Sequence, residues 1–111
     1  MFPNWECDNL GDKKLRIIAR STLVKFWISH PTSKEPLQAW YKETESANWQ
    51  SSEDIKQRYA SASFLVDNRV CFNISGNTFR LIVKVNYKFH IVYIRFIGTH
   101  AEYNKIDAET I

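Results

Sequence analysis

The sequence predicts one α+β domain, with helices packed on one face of a small, mainly antiparallel, twisted sheet. The 111 residues are 44% hydrophobic and 14% aromatic, with three glycines and three prolines, a composition typical of one globular domain with one core. Apolar residues follow helical spacing in the first half of the chain and alternate with polar residues after Tyr59. A run of helices followed by a run of strands favours the α+β class.

The chain enters this domain through a polar segment and a strand. Residues 1–14 show no periodic pattern, and we interpret them as an N-terminal extension. Leu15–Arg20 alternates in polarity, which predicts the first strand. Ser21 is a good N-cap residue and Pro31 cannot continue a helix, so a helix is expected from Ser21 to about His30.

Two more helices are predicted before the sheet. The second begins at Ser33 or Lys34, where apolar residues again recur at helical spacing. A short third helix begins at Ser52, because Glu53 and Asp54 are favourable in the first turn of a helix.

The second half of the chain reads as three strands and a final helical turn. Turn signals at residues 67–68 and 76–77 bound the first of these strands. The predicted elements are Val70–Ile74, Thr78–Tyr87, His90–Ile97, and a capping box over Thr99–Glu102 that opens a short C-terminal helical turn. The inward positions of the first strand are Val70, Phe72 and Ile74.

The hairpin between the last two strands leads to a prediction about two arginines. If Tyr87 and Lys88 form a two-residue turn, Asn86 faces its partner Phe89 and Arg80 faces Arg95 on the side away from the core. Like charges placed opposite each other are unfavourable unless an anion such as phosphate lies between them. Alternatively both arginines extend into water, and a slip of one residue would turn Arg95 to the other face.

Composition excludes several classes of protein. No run of 18 apolar residues is present, and Leu15–Ala19 is too short for the core of a signal peptide, so a cytoplasmic protein is expected. Cys7 and Cys71 belong to no metal-binding pattern, so we expect reduced thiols, no metal and no cofactor. The sequence also has no phosphate-binding glycine loop and no Ser/His/Asp order.

Positive charge is concentrated toward the C-terminus. The net charge of the chain is +3, but the segment 69–105 has six basic residues against Glu102 alone, a net charge of +5. Such a local excess favours a phosphate-bearing partner, although many solvated surfaces are also basic.

Two segments of the sequence resemble motifs of a known protein family. Residues 73–82, NISGNTFRLI, resemble the pattern (I/N)xGNxxRL of HigB-type toxins, and residues 92–105, VYIRFIGTHAEYNK, resemble the ending of that family. Leu15–Arg20 is similar to the family's first strand, and Trp49–Tyr59 to its acidic helix. The resemblance covers residues 15–106, which we take as the toxin domain, and leaves 107–111 as a C-terminal tail.

The resemblance implies a RelE-like fold, a HigA-like helix-turn-helix antitoxin, and cleavage of messenger RNA on the ribosome. The positions that match the family pattern are Arg80, Arg95, His100 and Tyr103, which we take as candidate catalytic residues. Three lysines are candidate RNA-binding residues: Lys84, Lys88 and Lys105.

Chemistry independently supports these residue types. Cleavage of RNA without a metal requires activation of the 2′-hydroxyl, stabilisation of charge on the phosphate, and protonation of the leaving 5′-oxygen. Histidine can transfer protons near neutral pH, arginine matches phosphate oxygens, and tyrosine can stack on a base. Spacing of three places His100 and Tyr103 on one side of a helical turn.

Other interpretations remain open from the sequence. His100 could extend into water and Tyr103 could pack on the sheet. The chain could be a ParE-like toxin that poisons DNA gyrase, or an RNA-binding module without enzymatic activity. Trp27 and Trp40 are expected in the core or, as a weaker alternative, as anchors for the antitoxin.

Overall fold

Five strands and four α-helices make up the part of the chain that the computed structural model describes, residues 14–111. They are β1 (Arg16–Ile18), α1 (Arg20–Ser29), α2 (Lys34–Ser46), α3 (Ser52–Arg58), β2 (Ser63–Leu65), β3 (Arg69–Ile74), β4 (Phe79–Asn86), β5 (Ile91–Thr99) and α4 (His100–Tyr103). A 3-10 turn, Pro31–Ser33, joins α1 to α2. The predicted α+β class is confirmed. The predicted extension, apart from Lys14, and Cys7 lie outside the described residues.

The five strands form one open sheet in the order β1-β5-β4-β3-β2. β1 runs parallel to β5, and every other neighbouring pair is antiparallel. The long strand β4 therefore lies at the centre, hydrogen-bonded to β3 on one side and to β5 on the other. This arrangement confirms the mainly antiparallel sheet that the alternation of residues predicts.

The core lies between the helices and one face of the sheet. Buried side chains from both layers form a single cluster that includes Leu23, Trp27, Leu37, Trp40, Ile55, Val70, Phe72, Ile74, Leu81 and Val83. The ring of Phe72 packs edge-on against Trp40, with 5.5 Å between ring centres, and is also in contact with Trp49 and Tyr59. Val70, Phe72 and Ile74 face inward, as predicted.

The burial of the tryptophans corrects one expectation. Trp27 is 8% exposed and Trp40 is 3% exposed, so both belong to the core. Neither side chain has the exposed area that an anchor for a docked partner requires. Their role as antitoxin anchors is therefore not supported.

The N-cap of the first helix lies two residues before the predicted cap, Ser21. The observed N-cap is Ala19, whose carbonyl accepts a hydrogen bond from the backbone N–H of Thr22, and Ser21 lies inside the first turn. The helix can begin there because β1 ends at Ile18, so that the strand is shorter than the alternating segment. The starts of α2 and α3 at Lys34 and Ser52 match the predictions.

The predicted register of the last hairpin is wrong. Asn86 pairs with Ile91 rather than with Phe89, and a four-residue connection replaces the two-residue turn at Tyr87 and Lys88. The side chain of Asn86 closes this loop by accepting a hydrogen bond from the N–H of Phe89 at 3.0 Å. His90 has a φ of 58° at the end of the loop, a conformation that the alternation of polarity cannot reveal.

An irregularity in β5 changes the partner of both arginines. Ile82 pairs with Phe96 and Val83 with Ile94, which leaves Arg95 as the extra residue of a β-bulge. Arg80 consequently pairs with Gly98, and the predicted Arg80–Arg95 pair does not form. A phosphate clamped directly between these two arginines is therefore excluded as the basis of the site.

Candidate active site

The sheet face away from α1–α3, which we call the open face, brings the candidate residues together. Alternation along β3 and β4 places seven side chains there: Arg69, Cys71, Asn73, Arg80, Ile82, Lys84 and Asn86. Cys71 and Ile82 are nevertheless 3% and 0% exposed. Their burial on this side means that α4 and the segment after it fold back over the middle of the open face.

Arg80 is held in place by the turn that precedes its own strand. Its guanidinium group donates hydrogen bonds to the side-chain oxygen of Asn77 and, at 3.3 Å, to the main-chain oxygen of the same residue. Within residues 14–111, no carboxylate forms an ion pair with Arg80. A guanidinium that is fixed in position but lacks a carboxylate partner is suited to an anionic ligand.

Tyr103 lies beside Arg80. The central carbon of the Arg80 guanidinium is 5.6 Å from the centre of the Tyr103 ring, a cation–π distance. The Tyr103 hydroxyl also lies close to the thiol of Cys71. Partial burial, together with the neighbouring Cys71, raises the pKa of Tyr103. Tyr103 therefore stays protonated at neutral pH, able to donate a hydrogen bond or stack but not to act as a base.

His100 occupies the start of the same helical turn and is exposed. Its backbone N–H donates to the carbonyl of Thr78 at 3.2 Å, which ties the turn to the chain two residues before Arg80. Its ring is therefore open to solvent on the turn that also holds Tyr103. An exposed imidazole is able to transfer a proton to a bound substrate.

The predicted capping box fixes this turn. The hydroxyl of Thr99 accepts from the N–H of Glu102 at 3.2 Å, and the carboxylate of Glu102 accepts from the N–H of Thr99 at 2.8 Å. Glu102 is thus engaged by the backbone, as the sequence predicts, and does not approach the Arg80 guanidinium within ion-pair distance. His100 is therefore the residue of this turn that is left as a candidate for proton transfer.

Gly98 is a residue of this site that sequence reasoning missed. A side-chain carbon at this position would lie 2.5 Å from the ring of Phe96 and 2.8 Å from a carboxylate oxygen of Glu102. Any larger residue would displace the carboxylate that closes the capping box. A glycine within a strand pattern is the signal that could have identified this close approach.

Arg95 lies apart from Arg80, in a groove at the other end of the open face. The groove has a volume of about 540 Å³ and is lined by Lys84, Asn86, Lys88, Tyr93 and Arg95, among others. The bulge keeps Arg95 exposed and on the open face, since its Nε donates to the main-chain oxygen of Ile111 at 3.3 Å, as does that of Arg69 on β3. The structure therefore separates the candidate residues into a cluster around Arg80 and a basic groove around Arg95.

The remaining predicted cations have different environments. Lys84 bridges to Asp67 at 2.8 Å, and this hydrogen bond lowers the pKa of the Asp67 carboxyl. Lys88 lies in the β4–β5 connection with its ammonium 5.5 Å from the centre of the Phe89 ring. Lys105 is exposed just after α4 and does not line the groove.

Comparison with known families is consistent with this fold. A model of the HigB_toxin family, described as the RelE-like toxic component of a toxin-antitoxin system, matches residues 33–106. The chain belongs to the HigB toxin family. No curated protein matches the chain. The matched segment begins at residue 33, after α1. It ends at residue 106, as does the resemblance seen in the sequence.

Membership in this family establishes the general role of the chain. It is the toxin of a toxin–antitoxin system, which implies an antitoxin as partner. The matched residues of this HigB-family toxin include Arg80, Arg95, His100 and Tyr103, together with all three candidate lysines. In the part of the chain that the structure describes, no helix is long and apolar enough to cross a membrane.

Proposed function

We propose that this toxin is a metal-independent endoribonuclease that cleaves messenger RNA on the ribosome. The observation that supports it most is the Arg80 cluster: a guanidinium fixed by Asn77, next to the Tyr103 ring, without a carboxylate partner in the described residues. His100 on the same turn adds a group that can transfer protons.

Each group of the cluster has a role in the proposed reaction. The 2′-hydroxyl of the RNA loses its proton and attacks the adjacent phosphorus, while the bond to the 5′-oxygen breaks and that oxygen takes up a proton. Arg80 stabilises the charge that develops on the phosphate oxygens. His100 transfers a proton as base or acid. The protonated Tyr103 donates a hydrogen bond or stacks on a base.

The basic groove would hold the RNA strand beside the scissile phosphate. Lys84, Lys88 and Arg95 supply positive charge along it, and the ring of Tyr93 offers a surface for a base. Lys105, exposed after α4, would contact the backbone outside the groove. In this proposal Arg95 binds RNA and is not a catalytic residue. The catalytic residues are Arg80, His100 and Tyr103.

The antitoxin is proposed to be a HigA-like helix-turn-helix protein. It would neutralise the toxin in a hetero-oligomer in the cytoplasm, where the ribosome is also found. An antitoxin that covers the open face would block access of RNA to Arg80. Because Trp27 and Trp40 are buried, the contacts must come from other side chains.

Primer extension on a defined message tests the proposal. Brief induction of the toxin should produce discrete cuts within translated codons. Arg80→Ala should remove the cuts, whereas Arg58→Ala, a matched change on α3 at an exposed arginine paired with Glu43, should keep them. DNA breaks that depend on gyrase, with the message intact, would instead indicate a gyrase poison. Binding of RNA without cuts would indicate a non-enzymatic module.

A further inference from the structure

The last five residues, 107–111, form a tail that lies against the open face. Two guanidinium groups meet on its final residue: Nε of Arg69 donates to the main-chain oxygen of Ile111 at 3.0 Å, and Nε of Arg95 donates to the same oxygen at 3.3 Å. Arg69 comes from β3 and Arg95 from the bulge of β5, so that the tail bridges two strands across the centre of the sheet.

The tail is acidic, and its hydrogen bonds to Val66 and Arg95 are exposed to water, whereas its bond from Arg69 is partly buried. It contains Asp107 and Glu109 and no basic residue. The carboxylate of Glu109 accepts from the N–H of Val66 at 3.0 Å, and that of Asp107 accepts from the N–H of Glu109 at 3.0 Å. Exposed bonds exchange readily with water, so the bond from Arg69 sets most of the free-energy cost of releasing the tail.

Arg69 is the less expected member of the pair, because it is 8% exposed. Asp67 lies 3.4 Å from one of its terminal nitrogens, but the same carboxylate oxygen is 2.8 Å from the ammonium of Lys84. The acid is thus shared between two cations. Two guanidinium groups directed at one oxygen present the arrangement that phosphate oxygens accept.

We propose that Arg69 and Arg95 form a binding site for a phosphodiester of RNA, and that the tail occupies this site when RNA is absent. The oxygen of Ile111 then takes the position of a phosphate oxygen, and the acidic residues of the tail compete with the RNA backbone for the basic face. The inference rests on the proposed function, since RNA is the source of the phosphate. The family match ends at residue 106, so the tail is outside the matched segment.

Binding of a short single-stranded RNA with 2′-O-methyl groups, followed by fluorescence anisotropy, tests this site without any cleavage. Deletion of residues 107–111 should tighten binding at least about tenfold, the change that one charge-assisted hydrogen bond to phosphate corresponds to. Arg95→Ala in the deleted chain should reverse the gain. Lys42→Ala, at an exposed cation on α2, should not reverse it.

If the deletion destabilises the fold, variants that remove a single charge test the same proposal. Glu109→Gln should tighten RNA binding, and Glu45→Gln, the same change at an exposed position on α2, should not. Equal effects of the two variants would show a general charge effect and would overturn the proposal. Unchanged RNA affinity after deletion of residues 107–111, in a chain with the melting temperature of the parent, would also overturn it. This measurement does not depend on cleavage, so a negative result would not contradict the proposed cleavage on the ribosome. Conversely, RNA binding that depends on Arg95, without any cleavage, would contradict only the proposed nuclease activity.

Discussion

At the scale of single residues, the environment of Arg80 distinguishes it from the other arginines of the sheet. Arg69 and Arg95 donate to the tail, whereas Arg80 donates to Asn77 in the adjacent turn and lies beside an aromatic ring. Its position is set by local contacts with its own turn and with Tyr103. A donor fixed in advance stabilises developing charge without the cost of reorganisation.

Arg80→Ala is therefore expected to abolish growth inhibition while the chain still folds. Loss of one fixed donor to the reacting phosphate costs about 2–4 kcal/mol of transition-state stabilisation. Growth after induction, together with thermal unfolding of the purified variant, measures both effects. Arg58→Ala is the control, since an exposed ion pair contributes at most about 1 kcal/mol. If Arg80→Ala remained as toxic as the parent, the residue would not belong to the active site.

Tyr59 gives a residue-scale prediction about stability at alkaline pH. Burial, followed by the nearby Glu43 carboxylate, raises the pKa of Tyr59 from 10.0 to about 12. A group with a raised pKa in the folded state stabilises the fold fully below its unfolded pKa, and that contribution is lost as the pH rises from 10 to 12. The free energy of unfolding of the parent should therefore fall more steeply over this range than that of Tyr59→Phe.

Urea unfolding at a series of pH values measures this difference, because the other tyrosines are common to both chains. Tyr59→Phe keeps the ring that packs edge-on against Phe72. Parallel pH profiles of the two proteins would mean that the hydroxyl has the same pKa folded and unfolded.

At the scale of elements, α4 owes its geometry to its N-cap. A helix of four residues has too few backbone hydrogen bonds to be stable alone, so the reciprocal bonds of Thr99 and Glu102 and the bond from His100 to Thr78 determine where it lies. Because the turn holds both His100 and Tyr103, the cap acts on the candidate site as well as on stability.

Thr99→Ala should lower the free energy of unfolding by about 1 kcal/mol, the usual cost of a lost N-cap. It should also slow cleavage, since His100 and Tyr103 lose their fixed position. Thr99→Ser retains the hydroxyl and should restore both quantities. Equal cleavage rates for the alanine and serine variants would show that the cap does not position the site.

Most of the elements could be predicted because their signals are local, but the three-residue strand β2 was not predicted. Alternation along β3 and β4, the acidic first turn of α3 and the capping box are each contained in a few consecutive residues. The register of β4 with β5 could not be predicted in this way, because it depends on the Asn86 side chain, the φ of His90 and the bulge at Arg95. Of the candidate site, the motifs identify Arg80 and Tyr103 as candidates, but they predict neither the contact between these two residues nor the distance of Arg95 from them.

At the scale of the whole molecule, the open face combines two environments that no single segment encodes. The Arg80 cluster depends on α4 folding back over β3 and β4, and the Arg69–Arg95 pair depends on the tail crossing the sheet. These contacts join residues far apart in sequence, so periodicity does not predict them. They place the Arg80 cluster in one half of the open face and the pair of Arg69 and Arg95 in the other.

The groups present in the Arg80 cluster lead to the prediction that cleavage depends on the ribosome. An RNase that works alone usually has a general base and a general acid on either side of the phosphate. Here the Arg80 cluster has His100, a tyrosine whose raised pKa keeps its proton, and Glu102 bound to the backbone. The cluster stabilises charge well but has few groups that transfer protons.

The ribosome can supply what is missing by holding the message with its 2′-oxygen aligned for attack, an effect worth about 7–11 kcal/mol. Naked RNA should therefore be cut slowly or not at all at neutral pH, and the same message should be cut rapidly in a translating ribosome. Rates are compared by primer extension with equal toxin. The ribosomal reaction should weaken as salt rises, because in the proposed complex the basic face contacts phosphates. Equal rates on free and ribosome-bound message would show that the chain has a complete active site of its own.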